Sequence, residues 1–158
     1  MRYFLSLGSN LGDRKKNLEK AAGLLSKVEI HIITSSSLYK TEPVGIITRR
    51  WFYNQALEVE TVYDPEELLF RVKRIEERMG RVRTDCPRSR LIDIDIILAE
   101  NKTVSTKTLQ IPHPRMVKRN FVLYPLSEIA PEVKHPVLNE TIKDLLERST
   151  DQATVVRL

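Results

Sequence analysis

The sequence contains little cysteine and no long hydrophobic run, and both features limit the class of protein to which it can belong. Cys86 is the only cysteine, so no internal disulfide can form and no partner stands at the spacing of a structural zinc site. The apolar runs are too short to span a bilayer, and the N-terminal segment lacks the regions of a signal peptide. We therefore expect a cytoplasmic protein with no membrane partner.

No repeat, linker or low-complexity tract divides the chain, and its 158 residues are enough to bury one core. We expect a single domain over residues 1–158. Hydrophobic residues at 41% and charged residues at 30% are typical of a soluble globular protein. The 26 lysines and arginines exceed the 21 acids, which gives a net charge of +5. This balance favours an anionic partner, and a nucleic acid and a small polyphosphate both qualify.

The hydrophobic pattern predicts the element order β, α, β, β, α, β. Strands are expected over residues 3–7, 28–39, 53–61 and 90–98. The first helix should cover about 14–26, and the second should begin after its cap Asp64 and end at Gly80. This α+β order is the ferredoxin-like pattern of an antiparallel sheet with helices on one face. A C-terminal hairpin, a short helix near 120–128 and a last helix near 141–148 should follow.

Two carboxylates interrupt the β-branched run from Arg90 to Leu98. Because side chains alternate along a strand, Asp93 and Asp95 share one face. The other, buried face would be formed by Ile92, Ile94, Ile96 and Leu98. Four guanidinium groups directly precede the acids, those of Arg81, Arg83, Arg88 and Arg90. The acids form either a polar outer face or, with arginines that match phosphate oxygens, a site for a cation and a polyphosphate.

Five ordered stretches carry a resemblance to a known family. They are Gly8-Ser9-Asn10-Leu11-Gly12-Asp13, Ser37 to Gly45 with Phe52-Tyr53-Asn54, Arg81-Val82-Arg83, Arg90 to Ile96, and Ile111 to Arg115 continuing through Arg119 to Leu123. This set spans roughly residues 3 to 136. It resembles the motifs of the 6-hydroxymethyl-7,8-dihydropterin pyrophosphokinase family, whose fold is the ferredoxin-like arrangement predicted above.

The resemblance implies an ATP-dependent pyrophosphoryl transferase of folate biosynthesis, a 2-amino-4-hydroxy-6-hydroxymethyldihydropteridine diphosphokinase. Its substrates would be ATP and 6-hydroxymethyl-7,8-dihydropterin, and its products AMP and (7,8-dihydropterin-6-yl)methyl diphosphate. Asp93 and Asp95 match the family's magnesium ligands, so two Mg²⁺ ions are expected in each active site. Such chemistry depends mainly on alignment and on neutralising charged oxygens, which suits paired acids beside arginines.

The resemblance also implies roles for the other site residues. The catalytic group would be Arg81, Arg90 and Asp95. ATP contacts are expected from Glu76, Arg83, Ile96, His113 and Arg119. Pterin contacts are expected from Thr41, Glu42, Val44, Phe52, Asn54 and Phe121. The two phenylalanine rings would stack on the pterin, whereas the other two histidines, His31 and His135, should be structural or surface groups.

The chain departs from the family just before the two aspartates. Family members often carry a Trp-Gly-Pro-Arg run there, and this chain has Pro87-Arg88-Ser89-Arg90 instead. The tryptophan that closes over the site is therefore missing, and Trp51 lies elsewhere in the sequence.

Two alternatives remain beside this function. An RNA-binding module can share the βαββαβ order, but its aromatic K/R-G-F/Y-G/A-F-V-x-F/Y run is absent and the two aspartates would repel a phosphate backbone. A catalytically silent nucleotide-binding relative is the other, and retention of both aspartates, His113 and Arg119 argues against it. We expect small-molecule substrates and no nucleic acid, and the sequence gives no oligomeric state.

Overall fold

The core of the protein is a six-stranded antiparallel sheet in the computed structural model, which describes residues 1–80 and 89–158. The strands are β1 (Arg2–Ser9), β2 (His31–Ser35), β3 (Tyr39–Thr41), β4 (Phe52–Glu60), β5 (Asp93–Ala99) and β8 (Val155–Arg157). Their order is β5-β1-β4-β3-β8, and β2 also pairs with β4. Since β2 and β3 occupy successive stretches of one β4 edge, this arrangement confirms the predicted ferredoxin-like core.

Helices cover both faces of the sheet, although only one covered face was expected. α1 (Arg14–Lys27) and α2 (Pro65–Arg78) pack on the first face, and α3 (Asn120–Ile129) and α4 (Ile142–Glu147) pack on the second. As predicted, Asp64 caps α2 by accepting a hydrogen bond from the Glu67 N–H at 2.9 Å, and Gly80 follows the helix with φ +89°. The predicted hairpin joins β6 (Val104–Ser105) to β7 (Gln110–Ile111). Across residues 1–80 and 89–158, no helix has the length and apolar character needed to cross a membrane.

Two apolar clusters hold these layers together. The cluster under α1 and α2 includes Tyr3, Leu5, Leu7, Leu18, Leu25, Leu57, Val59, Leu68, Val72, Ile94 and Ile96. The cluster under α3 and α4 includes Phe4, Ala56, Ile97, Leu98, Val122, Leu123, Leu126, Ile142 and Leu145. Alternate residues of β1 therefore serve opposite faces, as the pleat of a strand requires.

An irregularity in β5 separates the predicted apolar face of that strand into two parts. Leu5 pairs with Ile96 while Phe4 pairs with Leu98, so Ile97 is an extra residue between two pairs. Ile96 stays with the first cluster, but Ile97 and Leu98 join the second. The prediction that Leu98 shares a face with Ile96 is therefore wrong, because a bulge interrupts the alternation. Asp93 and Asp95, before the bulge, keep their common face opposite Gly8 and Ser6 of β1.

The predicted strand over residues 28–39 is instead two strands, because β2 begins only at His31 and ends at Ser35, and β3 begins at Tyr39. Ser36 lies in the gap between them. There the Ser36 hydroxyl, in place of a main-chain carbonyl, accepts the hydrogen bond of the Ala56 N–H at 2.9 Å. The Ser36 N–H in turn donates to the Ala56 carbonyl at 2.9 Å. The Ser36 side chain thus replaces one main-chain hydrogen bond to β4. The chain can leave the regular strand there while the buried Ala56 N–H keeps a partner.

Glu128 of α3 fastens the second layer to the edge of the sheet. Its carboxylate accepts hydrogen bonds from the Ser37 N–H at 3.0 Å, the Ser37 hydroxyl at 2.8 Å and the Tyr39 hydroxyl at 2.6 Å. The Arg157 guanidinium of β8 lies 3.4 Å from it. Burial acts to raise the pKa of Glu128, but the bonds from Tyr39 and Ser37 and the charge of Arg157 lower it overall.

Glu128→Gln should lower the free energy of unfolding at pH 7 by about 1 kcal/mol, a modest figure because solvent reaches the carboxylate. Folding lowers the pKa of Glu128. The variant should therefore show its full loss of stability above the ordinary glutamate pKa of about 4.3. This loss should fade as the pH falls through the folded-state pKa. Urea unfolding of both proteins between pH 7 and pH 3 measures this. The exposed Glu132→Gln is the control, and a constant difference across that range would contradict the expectation.

Candidate functional site

A recess opens on the sheet face that carries Asp93 and Asp95. Its walls come from β1, the connection after β3, the start of β4, β5 and the start of α3. They are formed by Ser6, Gly8, Thr41, Glu42, Val44, Phe52, Asn54, Arg90, Asp93, Asp95, Arg119 and Phe121. The fold therefore brings most of the predicted site residues together. Ser6 and Gly8 were missed, although they alternate with Leu5 and Leu7 along β1 and so could have been assigned to this face.

The two aspartates form the acidic wall of the recess. Arg90 donates from Nη1 to Asp93 Oδ2 at 2.8 Å, and both side chains are largely buried. Burial raises the pKa of Asp95, and the charge of Asp93 raises it further, whereas Lys73 and Arg119 oppose the shift. Ionising a buried carboxyl group beside another acid costs free energy, and a bound cation would offset that cost.

Asn10, which is 2% exposed, holds the main chain of Arg90 in place. Its Oδ1 accepts from the Arg90 N–H at 2.7 Å, and its own N–H donates to the Arg90 carbonyl at 3.1 Å. Its Nδ2 donates to the Ser89 hydroxyl at 3.1 Å and to the Arg50 carbonyl at 3.2 Å. One buried carboxamide thereby connects β1, the β3–β4 connection and the segment before β5. The motif Gly8 to Asp13 marked this residue, but not its role.

Arg119 lines the recess, whereas His113 is not among the lining residues and lies near enough to Arg119 and Asp93 for their charges to act on it. The Arg119 Cζ atom is 5.4 Å from the centroid of the Phe121 ring. The His113 N–H donates to the Ile97 carbonyl at 2.9 Å, and its Nδ1 accepts from the Arg115 N–H at 3.2 Å. Burial, with the charges of Arg119 and Arg115, lowers the pKa of His113 to about 4, and the charge of Asp93 opposes this shift. His113 is therefore neutral near pH 7, with its proton on Nε2.

Two residues with predicted ATP contacts, Glu76 and Ile96, are not among the lining residues of the recess. Glu76 is 3% exposed, and its Oε1 accepts from the Ile94 N–H at 2.7 Å while Oε2 lies 3.3 Å from Lys73 Nζ. It covers the outer edge of β5. The Ile96 side chain belongs to the cluster under α1 and α2, which leaves its main chain for the predicted contact.

The opposite wall of the recess is built around Asn54 and Thr41. Both are buried, and Asn54 Nδ2 donates to Thr41 Oγ1. Gly8 permits this arrangement, because a Cβ atom there would lie 2.6 Å from Asn54 Oδ1. The rings of Phe52 and Phe121 also line the recess.

Two of the predicted site residues, Arg81 as a catalytic group and Arg83 as an ATP contact, lie outside the described residues. Cys86 and Arg88 also lie outside them. Within residues 1–80 and 89–158, no three His, Cys, Asp or Glu side chains cluster as a metal cage. The paired carboxylates of Asp93 and Asp95 suit a hard divalent cation such as Mg²⁺, since this ion takes one or two carboxylates and completes its shell with water and phosphate oxygens.

The ferredoxin-like sheet, with paired carboxylates, arginines and phenylalanines around one recess, has the features of a protein for phosphate-bearing aromatic ligands. Residues 4–131 match the family model described as 7,8-dihydro-6-hydroxymethylpterin-pyrophosphokinase, and the chain belongs to this family. This membership confirms the resemblance found in the motifs.

Relatives of two different lengths support the same assignment. The chain is 39% identical over 153 residues to the 2-amino-4-hydroxy-6-hydroxymethyldihydropteridine pyrophosphokinase of Bacillus subtilis, covering 96% of this chain and 87% of that protein. It is 38% identical over 148 residues to the folic acid synthesis protein fol1 of Pneumocystis carinii, covering 94% of this chain and 20% of that protein. The chain thus spans about one fifth of the length of the fol1 relatives.

Solved structures share the fold. The HPPK-DHPS of Plasmodium falciparum, in its wild-type crystal structure with pteroate, superposes with a TM-score of 0.75 at 22% identity. The match covers 93% of this chain and 44% of that one. The ferredoxin-like arrangement is therefore preserved at an identity where the sequence alone says little.

Proposed function

We propose that this protein transfers the pyrophosphoryl group of ATP to 6-hydroxymethyl-7,8-dihydropterin, which gives AMP and (7,8-dihydropterin-6-yl)methyl diphosphate. Family membership supports the reaction, and residues 1–158 would act in it as one pyrophosphokinase domain. The observation that carries the proposal is the recess itself, because its lining combines the two aspartates with two arginines and with the hydrogen-bonded pair of Asn54 and Thr41. One end suits phosphates and the other suits a flat heterocycle.

The pterin would occupy the wall formed by Thr41, Asn54, Phe52 and Phe121. Two aromatic rings bind a flat ring system by stacking, and the amide of Asn54 offers directed hydrogen bonds to ring heteroatoms. Glu42 and Val44, on the connection after β3, line the same end. Since Asn54 is already held by Thr41, its amide is ordered before the ligand arrives, which lowers the entropic cost of binding.

The phosphates would occupy the end near Arg90, Arg119 and His113. The guanidinium groups can each form two parallel bonds to phosphate oxygens. Because His113 Nδ1 already accepts from Arg115, the Nε2–H is the group left to donate to a phosphate. Arg81 and Arg83 are proposed for the same end by the motif match alone.

The carboxylates of Asp93 and Asp95 would hold the metal, for which we propose two Mg²⁺ ions in each site. Magnesium, when bound with ATP, neutralises phosphate oxygens as they gain charge. In the reaction the hydroxymethyl oxygen forms a bond to the β-phosphorus, and the bond from that phosphorus to the α,β-bridging oxygen breaks, so AMP leaves. Asp95 is the proposed acceptor of the hydroxyl proton, because it lines the recess between the two substrates.

An assay of the purified protein with ATP, magnesium and 6-hydroxymethyl-7,8-dihydropterin tests this function. We expect AMP and the pterin diphosphate in equal amounts, with loss of turnover when magnesium is chelated. Formation of ADP would refute the proposed bond cleavage. Binding of ATP without any turnover would favour the catalytically silent relative.

Asp95→Ala should lower the turnover number by at least about 100-fold, because even outer partners of metal ligands contribute roughly 10- to 100-fold. The fold should persist, since the core side of this part of β5 is formed by Ile94 and Ile96. Steady-state kinetics with thermal unfolding of the same sample measures both effects. The exposed Asp144→Ala is the matched control, and a folded Asp95→Ala variant with near-normal turnover would rule out a metal-binding role.

Gly8→Ala should raise the KM for the pterin by about tenfold, equivalent to about 1.4 kcal/mol, and change the KM for ATP little. The added Cβ would lie 2.6 Å from Asn54 Oδ1, so the amide must move away from its bond with Thr41. Gly23→Ala is the control, because among the described residues a Cβ built there meets no atom within 4 Å apart from its chain neighbours and the backbone of its own helix. Equal changes in both KM values would show that Gly8 does not act on the pterin end.

A further inference from the structure

We propose that the protein binds a small polyphosphate anion at a second site, the basic recess formed by Asn10, Gly12, Arg14, Lys40, Arg49, Arg50 and Trp51. The basic recess has a cavity volume of about 420 Å³. It shares no lining residue with the recess of Asp93 and Asp95 within the described ranges. The inference goes beyond the proposed function and does not depend on it.

Among residues 1–80 and 89–158, the lining of the basic recess concentrates positive charge and includes no acid. Four of its lining residues are cationic, and none is a carboxylate. Among the described residues, none of the four lies in a salt bridge. Asp13, the neighbouring acid in the sequence, instead caps α1 by accepting from the Lys16 N–H at 3.1 Å. Four unpaired cations around one cavity repel each other, so an anion that they share is stabilised.

Two of these cations are held in place before any ligand binds. The Arg14 Cζ atom lies 3.9 Å from the centroid of the Tyr53 ring, and its Nη1 donates to the Trp51 carbonyl at 2.9 Å. The Lys40 Nζ atom lies 5.6 Å from the centroid of the Trp51 ring. Ring contacts of this kind fix a cation without neutralising it. The remaining N–H donors of Arg14 have no acceptor among the described residues, and guanidinium groups of this kind match phosphate oxygens in pairs.

The charge and size of the cavity point to a chain of two or three phosphates. Such chains carry about three to four negative charges near pH 7, since each phosphoryl group keeps about one to two. This matches the four cations. The chain can be inorganic or can be the tail of a nucleotide, and both present the same oxygens to the site.

Binding in the basic recess can be followed by tryptophan fluorescence, because Trp51 is the only tryptophan in the sequence and lines this recess. Pyrophosphate is titrated into the protein without magnesium, at constant ionic strength, while the fluorescence of Trp51 is recorded. ATP and a single-stranded oligonucleotide are titrated in parallel. The variants are Arg49→Gln/Arg50→Gln for the basic recess, Arg119→Gln for the other recess, and the exposed pair Lys107→Gln/Lys143→Gln as the charge control.

We expect a saturable change with pyrophosphate that is weakened at least about tenfold in Arg49→Gln/Arg50→Gln and unchanged in the other two variants. Similar dissociation constants for pyrophosphate and ATP would show that the phosphate chain alone is bound, and tighter binding of ATP would identify a nucleotide tail. Equal binding by the wild type and Arg49→Gln/Arg50→Gln, or loss of the signal in Arg119→Gln, would overturn the proposal. Tighter binding of the oligonucleotide than of either phosphate would also overturn it.

Discussion

The pairing of β5 with β1 is the constraint on which the site depends. This pairing sets Asp95 opposite Ser6 and Asp93 opposite Gly8, while Ile94 and Ile96 remain in the core. The bulge at Ile97 then turns Leu98 toward α3, which anchors the layer that carries Arg119 and Phe121. The register between β5 and β1 therefore places the carboxylates and their arginine partner on one sheet face. The same register fixes the helical layer beside them.

The residues whose positions in the fold could be predicted correctly lie in short contiguous motifs. Asp93 and Asp95 could be placed on one face because strand alternation holds until the bulge, and Asp64 and Gly80 bound α2 through local rules of helix capping. Leu98 was assigned to the wrong face because the bulge is decided by how β1 and β5 fit together. Ser36 likewise interrupts a strand only because its hydroxyl meets Ala56 from a distant segment. Long-range contacts, rather than local propensity, account for these errors.

The two recesses use positive charge in different ways. Near Asp93, the guanidinium of Arg90 is paired with a carboxylate at 2.8 Å, so under the proposed function a ligand would bring both a cation and phosphates. In the basic recess, the cations face no acid among the described residues, so an anion alone suffices. Asn10 lines one recess and holds the main chain of Arg90 in the other. The two sites are therefore neighbours across a single buried carboxamide.

The pairing of β8 with β3 has a consequence for how the chain is made. Tyr39 pairs with Arg157 and Thr41 with Val155, so the outer edge of β3 stays open until nearly all of these residues have left the ribosome. An open strand edge can pair with another chain, and such distant pairing slows folding. The same β3 carries Thr41, which orders Asn54. The strand that orders the wall proposed for the pterin is therefore paired along both edges only after residues 155–157 have been made.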